Sequence, residues 1–371
     1  YISAHFTQTL DPFFNNITKG QDFFQIPNGA YSFINGATLQ GTNDEPRFIN
    51  CCGVNPNVYH PLLTLAIGFP LIAFPPWTAF GIWVGIHLIL TTSLVVILLN
   101  IYGKNKYVYL AASLYLLNSY HYYEIKHTQY HGLLSFFFFL MLISFEKKRE
   151  FSAGIFYYLT LLVKPIGFLW FIPLLIYRKY KSTILAGFLF LISTIPFILK
   201  PWGNYYWTNL VSVMGHTRPT YNLAALSVIL QVEPMFFYSL AKVFAIFLIA
   251  FQLLKKPKLI AVISVWVIFQ LIFYVLVFEY HYTILATLIP FLILTKALKK
   301  TLIFWLAVIM LTLPTPVIIL HLTGSPQILP PIEYSMTAIW SIFWLTLLLI
   351  TILKNSKSVS PMKMALDDRL I

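Results

Sequence analysis

Most side chains that could do chemistry lie in short polar segments between long apolar runs. One segment holds Asp22, a second surrounds Glu124 with several histidines, a third contains Arg218, and a fourth contains His281. Carboxylates can take a hydroxyl proton, and cations or imidazoles can offset the charge of a phosphate. Aromatic residues interleave with them and offer faces for stacking on a sugar. This mixture suits chemistry on a sugar and a phosphate.

Structural roles explain some of these polar and aromatic side chains. Tyr and Trp are enriched at the ends of membrane helices, and a lone histidine at a helix end is more often structural than catalytic. His127 and His131 stand one helical turn apart, but only Glu124 could complete a metal site with them. We therefore expect no metal and no cofactor. The sequence also has no phosphate-binding glycine loop and no serine elbow.

The composition places these segments in a membrane protein. Hydrophobic residues make up 58% of the 371 residues, and charged residues make up only 10%. A soluble domain carries about 25% charged residues, so this chain has too little charge for a water-soluble surface. The apolar runs are long and unbroken rather than alternating, which indicates helices. The expected fold class is an all-α polytopic membrane protein.

Charge indicates which side each loop faces. The chain has 25 basic and 12 acidic residues, and most of the basic ones fall in short clusters between apolar runs. Basic loops face the cytoplasm, so the clusters predict the topology. None has the length or aromatic interleaving expected for nucleic-acid binding. The clusters are Lys104/Lys106, Lys147/Lys148/Arg149, Arg178/Lys179/Lys181, Lys255/Lys256/Lys258, Lys296/Lys299/Lys300 and the tail from Lys354.

Requiring every basic loop to lie on one side divides the chain. We expect one transmembrane domain over 1–371, with an outer segment at 1–77, a bundle at 78–354 and a cytoplasmic tail at 355–371. The run 61–75 is expected to be a short outer helix that does not cross. The stretch 152–177 has basic clusters at both ends, so it must enter and return near Lys164-Pro165 on arms too short to span fully. About eleven crossings follow, and a first helix is expected before residue 1.

Several motifs in this order resemble the GT-C glycosyltransferases of family 87, which include polyprenyl-phosphate-mannose-dependent α-1,2-mannosyltransferases. The similarity extends over about 20–295. It departs from the family at His60, at Thr128 and at Ala224-Ala225. The motifs are Gln21-Asp22-Phe23-Phe24, Tyr59-His60-Pro61-Leu62, Gln129-Tyr130-His131-Gly132-Leu133, Leu162-Val163-Lys164-Pro165, Asn222-Leu223-Ala224-Ala225-Leu226 and Glu279-Tyr280-His281-Tyr282.

The resemblance implies a GT-C-type bundle of about 11–12 transmembrane helices with a long first outer loop. It also implies inverting transfer of mannose or another hexose from a polyprenyl-phosphate donor. Asp22 is then the general base, with His281 beside it. The groups implied to hold the donor phosphate or lipid are Lys164, Arg218, Gln129 and His131. Those implied to bind the acceptor or sugar are Tyr59, His60, Asn222 and Glu124.

The expected partners are the polyprenyl-phosphate sugar, a glycolipid or glycan acceptor and membrane lipids, with no nucleic acid. The expected location is a bacterial inner or plasma membrane, with the site facing the outside or periplasm and serving the cell envelope. Two other readings stay open. One is an inactive relative with a structural role in a larger membrane complex. The other is a transporter, although transporters place functional charges at midplane and are built from repeats that this chain lacks.

Overall fold

The computed structural model describes residues 22–41, 44–49, 57–121, 124, 129–198, 222–273, 279–316, 319 and 330–358. Across these residues the chain is helical, and its only β pairing consists of two isolated bridges. The expectation of an all-helical chain is therefore confirmed for the described residues.

The helices follow the apolar runs closely. In chain order they are α1 Gln25–Ile34, α2 Pro61–Ile72, α3 Pro76–Tyr102, α4 Lys106–Leu116, α5 His131–Glu146, α6 Glu150–Val163, α7 Phe171–Ile176, α8 Tyr180–Ile198, α9 Leu226–Leu230, α10 Pro234–Lys255, α11 Leu259–Phe273, α12 Thr283–Leu294, α13 Leu302–Thr312 and α14 Pro330–Asn355. Short 3₁₀ segments cover Pro165–Trp170, Leu223–Ala225 and Glu279–Tyr282.

Four of the described helices are long and apolar enough to cross a membrane: α3, α8, α10 and α14. The longest, α3, has 27 residues and measures about 40 Å at 1.5 Å per residue. Much of their surface is apolar and exposed, as lipid contact requires; Ile89, Ile184, Val243 and Ile350 are examples. The protein therefore has the character of an integral membrane protein.

Helix α1 lies in the N-terminal stretch that the sequence analysis treats as an outer loop. It packs against α2, which is the short helix expected at 61–75. The two approach closely at Gly68, where a Cβ atom would stand 2.4 Å from the Cβ of Ala30. Hydrophobic periodicity did not predict α1 because its polar residues are buried too, among them Gln25 and Asn28.

The chain between α6 and α7 breaks at Lys164, as expected. Residues that precede proline are driven out of the helical region, and Lys164 is extended, with φ −150° and ψ 129°. Helix α6 has 14 residues and α7 has 6, so both arms are shorter than the roughly 20 residues of a full span. The break leaves Lys164 at the end of α6, outside any helix.

The basic loops meet at one end of the bundle, which is called the basic end below. Backbone N–H groups of Lys258 and Lys357 donate to the carbonyls of Lys357 and Ala297, at 3.1 and 2.9 Å. Nearby, Nζ of Lys179 lies 2.8 Å from Oε1 of Glu150. The cationic loops are thus joined to one another in space and not only in sequence.

Helices α5, α6 and α12 connect the basic end with the candidate site. The chain goes toward the site in α6 and away from it in α5 and α12. Helix α5 packs on both α6 and α12, and the rings of Phe139 and Phe291 lie 5.2 Å apart in this core. With 16, 14 and 12 residues, the three helices measure about 24, 21 and 18 Å. Their far ends, at His131, Lys164 and His281, therefore stand at similar heights above the basic end.

Candidate functional site

Lys164 and His281 meet at the far ends of α6 and α12. Nζ of Lys164 lies 3.2 Å from Nε2 of His281, although the two residues are 117 positions apart. His281 is buried, at 5% exposure, in the 3₁₀ turn before α12. A protonated lysine has only donors, so it donates to Nε2, which must then be the imidazole's acceptor nitrogen.

His131 joins this pair from the first residue of α5. Its ring lies 4.5 Å from the ring of His281, in an edge-to-face arrangement. It also interacts electrostatically with Lys164 and His87. His131 is 1% exposed, so three nitrogen-bearing side chains share one desolvated region.

Asp22 is held over the same region by the two phenylalanines that follow it. Phe23 and Phe24 are 0% and 1% exposed, and Phe23 packs on Trp83 and Tyr130. The Tyr130 hydroxyl donates to the Phe23 carbonyl at 2.8 Å. The carboxylate itself is partly exposed. The position of Asp22 is therefore fixed by core packing of its neighbours.

The charge balance around Lys164 ties the carboxylates to the cation. Burial lowers the pKa of Lys164 to about 8, against the opposing effects of Asp22 and then Glu124. Both carboxylates thus lie within electrostatic reach of the ammonium group. A lysine with this pKa is largely cationic at neutral pH and is ready to bind an anion.

A side chain of α1 donates a hydrogen bond to Asp22. Nε2 of Gln25 donates to Oδ1 of Asp22 at 3.0 Å. This bond orients the carboxylate from the first turn of a helix that the sequence analysis did not identify.

Gln129 and Tyr59 form a second part of the site. The Tyr59 hydroxyl donates to Oε1 of Gln129 at 2.6 Å, and the Tyr59 ring lies 4.8 Å from that of Tyr130. Because Oε1 is engaged, the amide of Gln129 has a fixed orientation. Both predicted residues therefore lie beside the segment that leads into His131.

Glu124 is fully buried and holds the start of α5. Its Oε1 accepts from the backbone N–H of Gly132 at 2.8 Å and lies 3.3 Å from Nε2 of His87. The sequence analysis predicts a binding role for Glu124. The structure gives Oε1 a structural role and leaves Oε2 without a hydrogen bond to any described residue.

His60 has a structural role at the start of α2. Its Nδ1 accepts from the N–H of Leu62 at 3.2 Å, so Nε2 carries the hydrogen and donates to Thr194 at 3.0 Å. This arrangement caps α2 and ties it to α8. Burial lowers the pKa of His60 to about 4, so the ring is neutral at physiological pH.

Two further predicted residues are Asn222 and Arg218. Asn222 is buried beside the turn Leu223–Ala225, which packs on α10, α11 and α14. Arg218 lies outside the described residues. The contacts described above connect Asp22, Lys164, His281, His131, Gln129, Tyr59 and Glu124. The described contacts of His60 are with Leu62 and Thr194, and Asn222 lies beside the turn Leu223–Ala225.

His87 and Trp83 are site neighbours that sequence reasoning missed. Both lie on α3, and their ring nitrogens are 3.0 and 3.4 Å from the carbonyl oxygen of Gln129. The sequence signal that could have identified this part of the site is His87 itself. An ionisable residue inside an apolar 27-residue helix is a functional candidate by default.

A cavity of about 420 Å³ lies at the basic end. Its walls include Tyr102, Glu146, Lys258 and Lys296. Among the described residues, no group of three or more His, Cys, Asp or Glu side chains is arranged to hold a metal ion. The side chains of the cluster are a lysine, imidazoles and carboxylates.

Comparison with known proteins finds no matching family model, no similar curated protein and no similar solved structure.

Proposed function

We propose that this protein is a membrane glycosyltransferase that moves a hexose, such as mannose, from a polyprenyl-phosphate donor to an acceptor hydroxyl. The observation that carries the proposal is the meeting of Lys164 and His281 at 3.2 Å with Asp22 in electrostatic reach. These three residues come from distant parts of the chain and match the roles that the reaction needs. A base, a phosphate-binding cation and an imidazole are close together.

In this mechanism Asp22 accepts the proton of the acceptor hydroxyl. The hydroxyl oxygen bonds to the anomeric carbon from the face opposite the phosphate, and the bond between that carbon and the phosphate oxygen breaks. Polyprenyl phosphate leaves with one more negative charge than it had in the diester donor. Inversion at the anomeric carbon follows from the single displacement.

Lys164 and the imidazoles are suited to the leaving group. The phosphate gains charge as the bond breaks, so a fixed cation stabilises the transition state more than the bound donor. His281 and His131 lie next to that cation and can offer further hydrogen bonds. Burial strengthens these interactions because little water screens them.

The depth of the cluster fits a lipid-linked donor. The helices beneath it measure about 18–24 Å, whereas the hydrocarbon layer is about 30 Å thick. With the basic end in the cytoplasm, the cluster lies in the outer half of the membrane. A phosphate on a polyprenyl chain can reach that depth. This topology, the GT-C arrangement and the total of 11–12 crossings belong to the proposal.

The test is sugar transfer by purified protein in lipid nanodiscs, with radiolabelled polyprenyl-phosphate mannose and a glycolipid acceptor. Asp22→Asn keeps the shape of the side chain and removes its basicity, so transfer should slow on the order of 10²–10⁴-fold. Donor binding should persist. Asp44→Asn is the matched control, since Asp44 is exposed.

Transfer at the wild-type rate by Asp22→Asn would show that Asp22 is not the base. If the wild-type protein neither binds the donor nor transfers sugar, the structural-subunit reading replaces this one.

A further inference from the structure

His87 on α3 donates to the segment that precedes α5. Its Nε2 lies 3.0 Å from the carbonyl oxygen of Gln129 and 3.3 Å from Oε1 of Glu124. Both of these atoms are acceptors, so Nε2 carries the hydrogen and is shared between them. His87 is 4% exposed, which makes the interaction stronger than it would be in water.

The ring of His87 also fills the space beside Gly132. A Cβ atom on Gly132 would stand 2.2 Å from Cε1 of His87, far inside any normal contact. The N–H of the same glycine donates to Glu124 at 2.8 Å. The first turn of α5 is thus held from two sides, by the ring of His87 and by the carboxylate that His87 contacts.

His131 immediately precedes Gly132 and forms part of the candidate site. Its ring faces His281 at 4.5 Å, and it interacts electrostatically with Lys164. Any movement of the first turn of α5 would move His131 relative to both partners.

We infer that His87 is a positioning residue of the site: together with Glu124 it fixes the segment Gln129 to Gly132, so that His131 stays against His281 and Lys164. The catalytic meaning of that arrangement rests on the proposed function, whereas the positioning itself does not.

A purely structural His87 would affect stability without affecting the site, so the readout must come from the site itself. The pKa of Lys164 is such a readout, because an amine reagent modifies only the neutral form of the lysine. The labelling rate against pH, followed by peptide mass spectrometry on the full-length protein in nanodiscs, gives the pKa of Lys164.

Four variants separate the alternatives. His87→Ala removes the ring, and we expect hydration of the loosened site to raise the pKa of Lys164 by about one unit or more. His87→Gln keeps an N–H donor and should restore most of the wild-type profile. Gly132→Ala should reproduce the effect of His87→Ala by displacing the ring. Leu94→Ala, two turns away on α3, removes buried volume without touching the segment and should leave the profile unchanged.

The double variant His87→Ala/Gly132→Ala gives the sharpest result. Once the ring is gone, the added methyl group has room, so Gly132→Ala should have no further effect in that background. Additive effects, or a Lys164 profile that shifts equally in Leu94→Ala, would overturn the inference. A wild-type protein that transfers no sugar but shows the expected profiles would refute the proposed function and leave the positioning role standing.

Discussion

Nζ of Lys164 and Nε2 of His281 lie 3.2 Å apart, at the ends of two helices that are separated by more than a hundred residues. The contact places a cation and a base in direct hydrogen-bond contact inside a largely apolar protein. Pro165 disfavours the helical conformation at the preceding residue, so the backbone of Lys164 is extended. His281 lies in a 3₁₀ turn. Both side chains are therefore presented by helix ends.

Activity should depend on the protonation of Lys164. The pKa of this lysine is about 8, so the cation that binds the leaving phosphate is lost as the pH rises through 8. We expect kcat/KM for the donor to fall about tenfold per pH unit above that point. Lys164→Arg, which stays charged, should remove this alkaline fall even if its maximum rate is lower. An unchanged alkaline limb in Lys164→Arg would assign the titration to another group.

The stability of the fold should decline in acid. Burial lowers the pKa of His60 and of His121 to about 4 from an ordinary 6.5. The unfolded chain therefore binds protons that the folded chain does not, between pH 6.5 and 4. Stability is complete above pH 6.5 and should fall by about 1 kcal/mol per pH unit per group as the pH drops through this window.

Thermal unfolding in detergent from pH 7.5 to 4.5 measures this decline. His60→Gln should flatten the slope without removing it, because burial also lowers the pKa of His121 and of His131 and both continue to titrate. If His60→Gln leaves the slope of stability against pH unchanged, His60 is not a buried, neutral cap of α2.

The contact between α1 and α2 should not tolerate a methyl group at Gly68. Its Cβ would stand 2.4 Å from the Cβ of Ala30, so the helices must separate. Overpacking typically costs about 1–3 kcal/mol, which exceeds the gain of about 1 kcal/mol from helix propensity. Gly81→Ala is the control, because no atom within 4 Å would meet its Cβ. We expect Gly68→Ala to lower the unfolding temperature and Gly81→Ala to leave it unchanged or raise it.

The segment that carries α1 and the basic end should lie on opposite sides of the membrane. In a background with Cys51→Ser and Cys52→Ser, single cysteines at the exposed positions Asn35 and Lys181 report the side. An impermeant maleimide added to right-side-out vesicles should label Asn35→Cys alone. Labelling of both positions from the same side would refute the topology.

The sequence predicted most helices because apolar runs and prolines mark them directly. The break at Lys164-Pro165 and the short helix Pro61–Ile72 are examples, since the conformation before proline and the start of a helix are local properties. Helix α1 was missed because it buries polar residues together with apolar ones, and some of these polar residues are held by distant segments. Asn28, for instance, accepts from the N–H of Ile49.

The candidate site was predictable only in part. Asp22, Lys164 and His281 were selected by resemblance, and no local pattern says that they meet. His60 was assigned to the acceptor or sugar as part of a motif, and the motif does not predict that its ring nitrogens contact Leu62 and Thr194. The role of His87 depends on the missing Cβ of Gly132, a relation between two helices that a single sequence does not show.

The burial of Phe23 and Phe24 has a consequence for how often the site is complete. Moving both rings into water costs about 3–6 kcal/mol, at about 1.5–3 kcal/mol for each side chain. A detached form of this segment would then account for fewer than about one molecule in a hundred. Asp22 thus occupies one place in almost every molecule before any substrate arrives, and binding energy need not be diverted to bring the carboxylate into position.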